Sequence, residues 1–174
     1  MKSRTTPSKL YWIKGPWRGR LVTMPRPRGG DWLEDEVCDW REAGIDVVVS
    51  LLTPDEVGDF DLDAEPGFCE AHGIRFVSFP IPDRGVPASR DGAANLLNDL
   101  EHSLASGKTI ALHCRQGIGR SSLIAACLLV TAGEEPRSAF ERIGSVRGVR
   151  VPETPEQEQW VLDSASAPAI HPAF

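Results

Sequence analysis

One stretch of nine residues combines a cysteine, two glycines and an arginine at a spacing that suits the binding of an anion. It reads His113-Cys114-Arg115-Gln116-Gly117-Ile118-Gly119-Arg120-Ser121. Gly117 and Gly119 let the chain curl so that its backbone N–H groups point inward, because no Cβ atom resists the turn. Arg120 is a permanent planar cation that can hold two phosphate oxygens at once. Cys114 lies among these donors, which favour the thiolate, the nucleophilic form of a cysteine.

The segments on either side of this stretch have the patterns of a buried strand and a buried helix. Residues 108–112 are a short apolar run, and residues 122–130 are a longer one. The first turn of a helix has unpaired N–H groups and the positive end of the helix dipole, so a strand, a loop and a helix start form an anion cradle. We therefore interpret residues 113–121 as a phosphate-binding loop with a thiolate nucleophile. The Ser121 hydroxyl can help the thiolate to leave in a second step, and His113 is expected to orient the loop.

The composition is that of one globular domain. The chain has 174 residues, of which 41% are hydrophobic and 25% are charged, which is sufficient for a sizeable core. We expect a single domain over 1–174 that is monomeric, with flexible ends at about 1–9 and 166–174. The net charge of −6 argues against a general nucleic-acid binder. The sequence contains no run of about 20 apolar residues, so no membrane span is predicted.

The cysteines indicate a reducing compartment. Their positions, which show no paired spacing, are Cys38, Cys69, Cys114 and Cys127. A chain of this size does not need disulfides, so a cytoplasmic location is expected. Cys38, Cys69 and Cys127 fall on apolar or amphipathic helices and are expected to pack in the core. A zinc site of Cys69 and His72 with the pair 113–114 is an alternative, but the metal would occupy the nucleophile, so no metal or cofactor is predicted.

Strands and helices alternate in the predicted secondary structure. Strands are expected at 10–13, 20–24, 45–52, 74–79 and 108–112. Helices are expected at 32–43, 65–72, 90–106, 120–132, 135–144 and 155–164, with a short helical turn at 53–56. This alternation predicts an α/β fold with a mostly parallel central sheet covered by helices on both faces. The ends of the parallel strands then share one edge of the sheet, where ligands usually bind.

Local signals indicate where several of these helices begin. Asp31, Ser89 and Thr154 each precede a predicted helix and are the expected N-caps. Trp32 and Trp40 are expected to belong to the apolar stripe of the first helix.

The loop pattern resembles that of a known enzyme family. His-Cys-x5-Arg-Ser over 113–121 is the signature of the cysteine-dependent protein tyrosine phosphatases, and the ending Gly-x-Gly-Arg-Ser resembles the dual-specificity branch. The surrounding chain is similar to the small cyclin-dependent-kinase-associated phosphatases and their prokaryotic relatives. The resemblance implies the phosphatase-like α/β fold, a cysteinyl-phosphate intermediate and no cofactor. The phosphate-binding residues it implies are Arg115, Gln116, Gly117, Ile118, Gly119 and Arg120.

The same family uses a general acid on a mobile loop upstream of the cysteine. Asp83 fits this role, because it lies in a Pro- and Gly-rich loop 31 residues before Cys114 and follows the neighbouring predicted strand. It would protonate the leaving oxygen and then deprotonate the attacking water. Asp55, Asp59 and Asp91 are competing acids that we rank lower. They fit a turn, an acidic solvated stretch and the first turn of a helix, respectively.

Family members often carry a Gln-Thr-x-x-Gln segment that positions the hydrolytic water. The corresponding segment here is 153–157, in which Gln157 matches the second glutamine and Glu153 replaces the first. Gln157 is therefore a candidate for positioning the water. The alternative is an ordinary helix N-terminus, where Thr, Pro and Glu are common.

The loop composition bears on the substrate. Gln116 and Ile118 are neutral, whereas phosphoinositide-selective relatives often have lysines in this loop. We therefore expect a phosphatase that acts on phosphotyrosine in proteins or peptides, with phosphoserine and phosphothreonine as further substrates. Arg84 and Arg90 are expected to add a positive rim to the site. The alternatives are a phosphoinositide or small-molecule phosphatase, a pseudophosphatase that binds phosphate without turnover, and a thiol enzyme of the rhodanese or arsenate reductase kind.

Overall fold

Five strands and seven α-helices form residues 8–166, the part of the chain that the computed structural model describes. The strands are β1 (Tyr11–Ile13), β2 (Arg20–Pro25), β3 (Val47–Ser50), β4 (Arg75–Ser78) and β5 (Thr109–Cys114). The helices are α1 (Leu33–Glu42), α2 (Pro54–Asp59), α3 (Glu65–Ala71), α4 (Arg90–Ala105), α5 (Arg120–Thr131), α6 (Pro136–Arg147) and α7 (Pro155–Ser166). The predicted flexible ends lie outside the described residues, except for 8, 9 and 166.

The sheet has the strand order β1-β2-β5-β3-β4, and only its edge pair β1 and β2 is antiparallel among the described strands. All six residues of β5 are buried, as expected for the central strand of a sheet covered on both faces. In the register, Cys114 lies beside Pro25 of β2, and His113 lies beside Ser50 of β3. The ends of three parallel strands therefore meet at the start of the predicted phosphate-binding loop.

A separate hydrophobic core lies on each face of the sheet. One core contains buried side chains from α4, α5, α6 and α7, among them Leu100, Leu123 and Val161. The other contains side chains from α1 and α3, including Trp40 and Cys69. The predicted α/β architecture, with a mostly parallel sheet and helices on both faces, is confirmed. No helix within residues 8–166 is long and apolar enough to cross a bilayer.

The first predicted helix begins differently from the expectation. A 3₁₀ turn at Gly30–Trp32 precedes α1, and no side chain caps either start, so the prediction that Asp31 is the N-cap is wrong. Trp32 is 52% exposed, whereas Leu33 is buried. The apolar stripe of α1 therefore includes Leu33 and not the predicted Trp32. The reason is that the 3₁₀ turn changes the helical phase before α1 starts.

The other two predicted N-caps are present. The Gly92 N–H donates to Ser89 Oγ at 2.9 Å, and the Gln157 N–H donates to Thr154 Oγ1 at 3.2 Å.

The end of α6 differs from the prediction, which placed it near Gly144. The helix continues to Arg147 and ends at Gly148, whose φ of +76° is a left-handed conformation that glycine adopts without strain. Gly144 lies inside the helix, where a Cβ atom would come within 2.9 Å of the Val149 carbonyl oxygen. Close packing therefore accounts for Gly144, and Gly148 accounts for the end of the helix.

Candidate active site

The predicted loop forms a cradle of unpaired N–H groups between β5 and α5. The backbone N–H groups of residues 116–119 donate to no acceptor within residues 8–166. Cys114, at the end of β5, and Arg120, at the start of α5, line one cavity together with Asp83. An anion in this cavity meets loop N–H groups, the start of a helix and a guanidinium group, which is the arrangement of a phosphate site.

The two glycines of the loop differ in how strictly the structure requires them. Gly117 has a φ of +71°, and a Cβ atom there would come within 2.6 Å of the Met24 carbonyl oxygen. Gly119 has an ordinary φ, but its Cβ atom would come within 2.7 Å of a carboxylate oxygen of Glu153. The loop therefore needs glycine at Gly117, for its backbone conformation and its approach to the backbone of Met24, whereas a side chain at Gly119 would displace the carboxylate of Glu153.

The carbonyl groups of the loop point away from the cavity and find donors outside it. Arg147 donates from Nη2 to the Gln116 carbonyl at 2.7 Å and from Nε to the Gly117 carbonyl at 3.3 Å. Its guanidinium carbon lies 4.1 Å from the ring centroid of Tyr11, a cation–π contact. Arg147 thus holds the loop in the conformation that turns its N–H groups inward, a role that the sequence did not suggest because α6 was predicted to end before it.

Arg120 is held by a carboxylate that the sequence reasoning missed. Its side chain is 2% exposed, and its two terminal nitrogens donate to the two carboxylate oxygens of Glu56 at 2.7 and 2.8 Å. Arg120 Nη1 also donates to the Ile81 carbonyl at 2.8 Å. Thr53 and Glu56 form a capping box at the start of α2, which fixes the carboxylate. A Thr-x-x-Glu pattern was visible in the sequence, but nothing in it indicated which cation Glu56 would meet.

The charges of Glu56 and Arg120 stabilise each other. Partial burial disfavours the ionised form of Glu56, but the hydrogen bonds from Arg120 and Thr53 prevail and lower the pKa of Glu56 below its usual value. Burial likewise disfavours the Arg120 cation, and the facing Glu56 raises the pKa of Arg120 above its usual value. Arg120 therefore presents a fixed positive charge to the cavity.

Asp83 lies in the loop after β4 and faces the cavity. Its side chain is 46% exposed, with Oδ1 3.3 Å from Arg120 Nη2 and Oδ2 3.8 Å from Arg115 Nη1. The competing acids lie elsewhere: Asp55 and Asp59 are exposed on α2, and Asp91 is exposed in the first turn of α4. Of the four aspartates considered from the sequence, Asp83 is the one that lines the cavity.

His113 is buried behind the nucleophile and pairs with a buried carboxylate. Its Nε2 donates to Glu65 Oε1 at 2.6 Å, and the two side chains are 0% and 1% exposed. Glu65 opens α3, so this contact joins α3 to the end of β5. The Ser121 hydroxyl is also buried and has no hydrogen-bond partner within the described residues, which leaves it free to serve a group inside the loop.

The segment predicted to position water lies against the phosphate-binding loop. The buried Gln157 donates from Nε2 to the Gly85 carbonyl at 3.0 Å and accepts at Oε1 from the Glu153 N–H at 3.1 Å. Gln157 therefore links the Asp83 loop to the segment at 153. The Glu153 side chain lines the cavity near Gly119.

Of the two arginines predicted to form a positive rim, Arg84 lies at the cavity and Arg90 does not. Arg84 and Arg115 line the cavity. Arg90 does not, because its guanidinium carbon lies 3.5 Å from the ring centroid of Trp160 and its Nη2 lies 3.6 Å from Asp163 Oδ2 on α7. The expectation that Arg90 contributes to the rim is therefore wrong.

Cys69 and Cys127 are buried in the two cores, whereas Cys38 is only half-buried and belongs to neither, so the expectation that Cys38 packs in the core is wrong. Burial raises the pKa of Cys69 and of Cys127 to about 12, so both stay protonated thiols near neutral pH. Partial burial and four surrounding carboxylates raise the pKa of Cys38, whose sulfur lies 3.6 Å from His72 Nε2. Within residues 8–166 no three His, Cys, Asp or Glu side chains are arranged to hold a metal ion, so the zinc alternative has no support.

Comparison with known proteins gives both a family match and close structural neighbours. A family model described as a DSP-PTPase phosphatase of polymorphic toxin systems matches residues 22–134. The chain is 26% identical over 141 residues to cyclin-dependent kinase inhibitor 3 of Sus scrofa, which covers 80% of this chain and 66% of that protein. Across the four curated mammalian proteins of that name, the chain spans 61 to 66% of their length.

Two solved structures extend the comparison to the fold. Kinase-associated phosphatase, with its catalytic cysteine replaced by serine, superposes with a TM-score of 0.85 at 21% identity, over 94% of this chain and 99% of that chain. Tk-PTP in its active form superposes with a TM-score of 0.71 at 26% identity, over 90% and 95% of the two chains. The first likeness is one of fold, and it covers nearly the whole described chain.

Proposed function

The chain belongs to the dual-specificity branch of the cysteine-dependent protein tyrosine phosphatases, and from this membership we propose that it hydrolyses phosphate monoesters through a cysteinyl-phosphate intermediate. The observation that carries the proposal is the convergence of Cys114, Arg120 and Asp83 on one cavity whose loop N–H groups are unpaired. This set supplies a nucleophile, an anion cradle and a proton donor within one site.

In the first step the Cys114 thiolate attacks phosphorus in line with the ester oxygen. An S–P bond forms and the P–O bond breaks, while Asp83 gives its proton to the leaving oxygen. The loop N–H groups and Arg120 surround the equatorial oxygens, where negative charge is concentrated during transfer. Glu56 fixes Arg120 through two hydrogen bonds, so the cation needs no reorientation as the phosphoryl group moves.

In the second step water breaks the S–P bond. Asp83, now a carboxylate, takes a proton from the water as its oxygen bonds to phosphorus, and inorganic phosphate is released. The buried Ser121 hydroxyl donates a hydrogen bond to the departing sulfur. His113 keeps the end of β5 in place through its bond to Glu65. We assign the positioning of the water to the Gln157 segment, because Gln157 joins the Asp83 loop to residues at the cavity wall.

The proposed substrates are phosphotyrosine residues of proteins or peptides, followed by phosphoserine and phosphothreonine. Besides Arg84 and Arg115, the cavity wall includes the neutral side chains of Gln116 and Ile118. We take these two neutral loop residues to favour a single phosphate beside an apolar ring over a multiply charged head group. The four cysteines of the sequence are free thiols in the structure, which fits a reducing compartment such as the cytoplasm. A monomer remains part of the proposal.

Cys114→Ser tests the mechanism, because a serine hydroxyl is a far weaker nucleophile than a thiolate at neutral pH. We expect hydrolysis of para-nitrophenyl phosphate to fall to background while a phosphotyrosine peptide still binds. Cys127→Ser, which changes a thiol remote from the cavity, is the matched control and should retain turnover. A Cys114→Ser variant that keeps most of the activity would contradict the mechanism.

A substrate panel separates the proposed substrate class from its alternatives. Turnover of phosphotyrosine peptides, phosphoinositides and nucleotides is compared in the absence of added thiols. The proposal expects the peptides to give the highest kcat/KM. Preferred turnover of phosphoinositides would contradict the protein-phosphatase assignment, and a requirement for thiols would favour the sulfurtransferase or reductase alternative.

A further inference from the structure

Two arginines from distant parts of the chain, Arg26 and Arg115, both contact the ring of Phe60, and Arg115 also lines the cavity. The guanidinium carbon of Arg26 lies 3.9 Å from the ring centroid of Phe60, and that of Arg115 lies 5.3 Å from the same centroid. Arg26 follows β2, Phe60 ends α2, and Arg115 follows the nucleophile. We call these three residues the arginine platform.

Within residues 8–166, Arg26 of the platform has no ion-pair partner and Arg115 has only a long one. The chain has a net charge of −6, yet within residues 8–166 no carboxylate lies within 4 Å of the Arg26 guanidinium. Arg26 Nη1 donates to the Pro27 carbonyl at 3.0 Å, and its other side-chain donors have no acceptor there. Arg115 has one long contact, 3.8 Å from Asp83. Arg26 and Arg115 carry like charges and contact the same ring, so an anion bound beside them is electrostatically favoured.

The platform is continuous with the catalytic cavity. Arg115 lines the cavity beside Cys114, and the Arg26 N–H donates to the Arg115 carbonyl at 3.4 Å. Stacking on Phe60 holds the guanidinium groups in place while it leaves their donor edges available. An anion bound by Arg115 therefore lies at the same cavity as Cys114.

From this arrangement we propose that the arginine platform binds an acidic side chain, aspartate or glutamate, next to the phosphorylated residue of a peptide substrate. The inference rests on the proposed phosphatase function and adds a sequence preference to it. Planar guanidinium groups bind carboxylates through two parallel hydrogen bonds, so the platform selects for acidic neighbours.

A peptide panel tests this preference. The reference is a phosphotyrosine peptide with alanine at the three positions on each side, and each variant carries one glutamate at one of these positions. We expect glutamate at one position to raise kcat/KM about threefold to tenfold, the range for a partly exposed charged hydrogen bond. Raising NaCl from about 0.05 M to 0.5 M should shrink this increment, because exposed charges are screened.

Variants assign the increment to the platform. Arg26→Gln should abolish the glutamate increment and leave turnover of the all-alanine peptide unchanged, and Arg26→Lys should retain part of it. Phe60→Leu should weaken it by removing the ring. Arg18→Gln is the matched control, since Arg18 is exposed at the turn before β2, at the opposite end of the sheet from Cys114, and it should change neither rate.

The outcomes distinguish failure of the platform proposal from failure of the proposed phosphatase function. Turnover of the all-alanine peptide without a glutamate increment at any position overturns the platform proposal and leaves the phosphatase function standing. An Arg26→Gln variant that slows both peptides equally also overturns it. No turnover of any phosphopeptide by unaltered protein that hydrolyses para-nitrophenyl phosphate contradicts the protein-phosphatase assignment and the platform together, and no turnover of either contradicts the phosphatase function itself.

Discussion

Two carboxylates share the Arg120 guanidinium, and their surroundings separate their roles. Glu56 is mostly buried and grips Arg120 through two short hydrogen bonds, whereas Asp83 is about half exposed and makes one longer contact. A carboxylate with a lowered pKa stays ionised and suits a structural counter-charge. The exposed one is free to approach a leaving group. The geometry thus separates the residue that orients the cation from the residue that we propose as the proton donor.

Asp83→Asn removes the proton donor and nearly preserves the side-chain shape. For an aryl phosphate with a poor leaving group we expect kcat to fall by about 10²- to 10⁴-fold, because departure of the oxygen needs the proton. For a good leaving group such as para-nitrophenol the fall should be smaller. Steady-state rates on both substrates measure the difference, and Asp91→Asn, an exposed aspartate on α4, is the control. Equal losses on both substrates would indicate that another group is the acid.

The phosphate-binding loop depends on elements that are far from it in the sequence. Its inward N–H groups require outward carbonyls, and α6 supplies the donor for two of them through Arg147. Strand β1 supports this arginine through the Tyr11 ring. The edge strand and a late helix therefore contribute to the anion cradle without contacting the substrate.

Arg147→Met tests this support. Without its donors the Gln116 and Gly117 carbonyls are free to turn inward, so the loop loses its preorganised form. We expect kcat/KM to fall by about tenfold, and the inhibition constant of orthovanadate to rise in parallel, the size expected for one charged hydrogen-bonding group. Tyr11→Phe keeps the ring and should be close to wild type.

Arg137→Met, on the exposed face of the same helix, controls for the change in charge. If Arg147→Met leaves vanadate inhibition unchanged while lowering activity, Arg147 does not act through the shape of the loop.

Over the whole molecule, the sequence did not predict the long-range ion pairs of the site, Glu56 with Arg120 and Glu65 with His113. Local patterns are sufficient for the order of the strands and helices, for the Ser89 and Thr154 caps, and for the loop itself, because hydrophobic period and capping depend on near neighbours. They misplaced the start of α1 and the end of α6. Trp32 was placed wrongly because a 3₁₀ turn altered the helical phase. Glu56 and Glu65 were missed because their partners lie 64 and 48 residues away, and only the packed sheet brings those pairs together.

The Glu56–Arg120 pair also links stability to pH. Because the pKa of Glu56 is lower in the folded than in the unfolded state, where it is about 4.3, its contribution is complete above that value and is lost as the pH falls through the folded-state pKa. Glu56→Ala should reduce the free energy of unfolding by about 1–3 kcal/mol at pH 7.

Denaturant unfolding at several pH values measures this contribution, with the exposed Asp55→Ala as control. The difference between wild type and Glu56→Ala should narrow as the pH falls below about 4. A difference that stays constant from pH 7 to pH 3 would show that the stabilisation does not depend on the Glu56 charge.

The central position of β5 also governs the order in which the chain can fold. The β1–β2 hairpin forms from residues close in sequence. Strands β2 and β3 do not pair with each other, and β5 must insert between them to join the two halves of the sheet. Closing these long loops is the slow part of assembling such a sheet. Until β5 is inserted, β2 and β3 have open edges that can pair with other chains. The nascent chain should therefore be most prone to aggregation, and most dependent on chaperones, before β5 has left the ribosome and paired with β2 and β3.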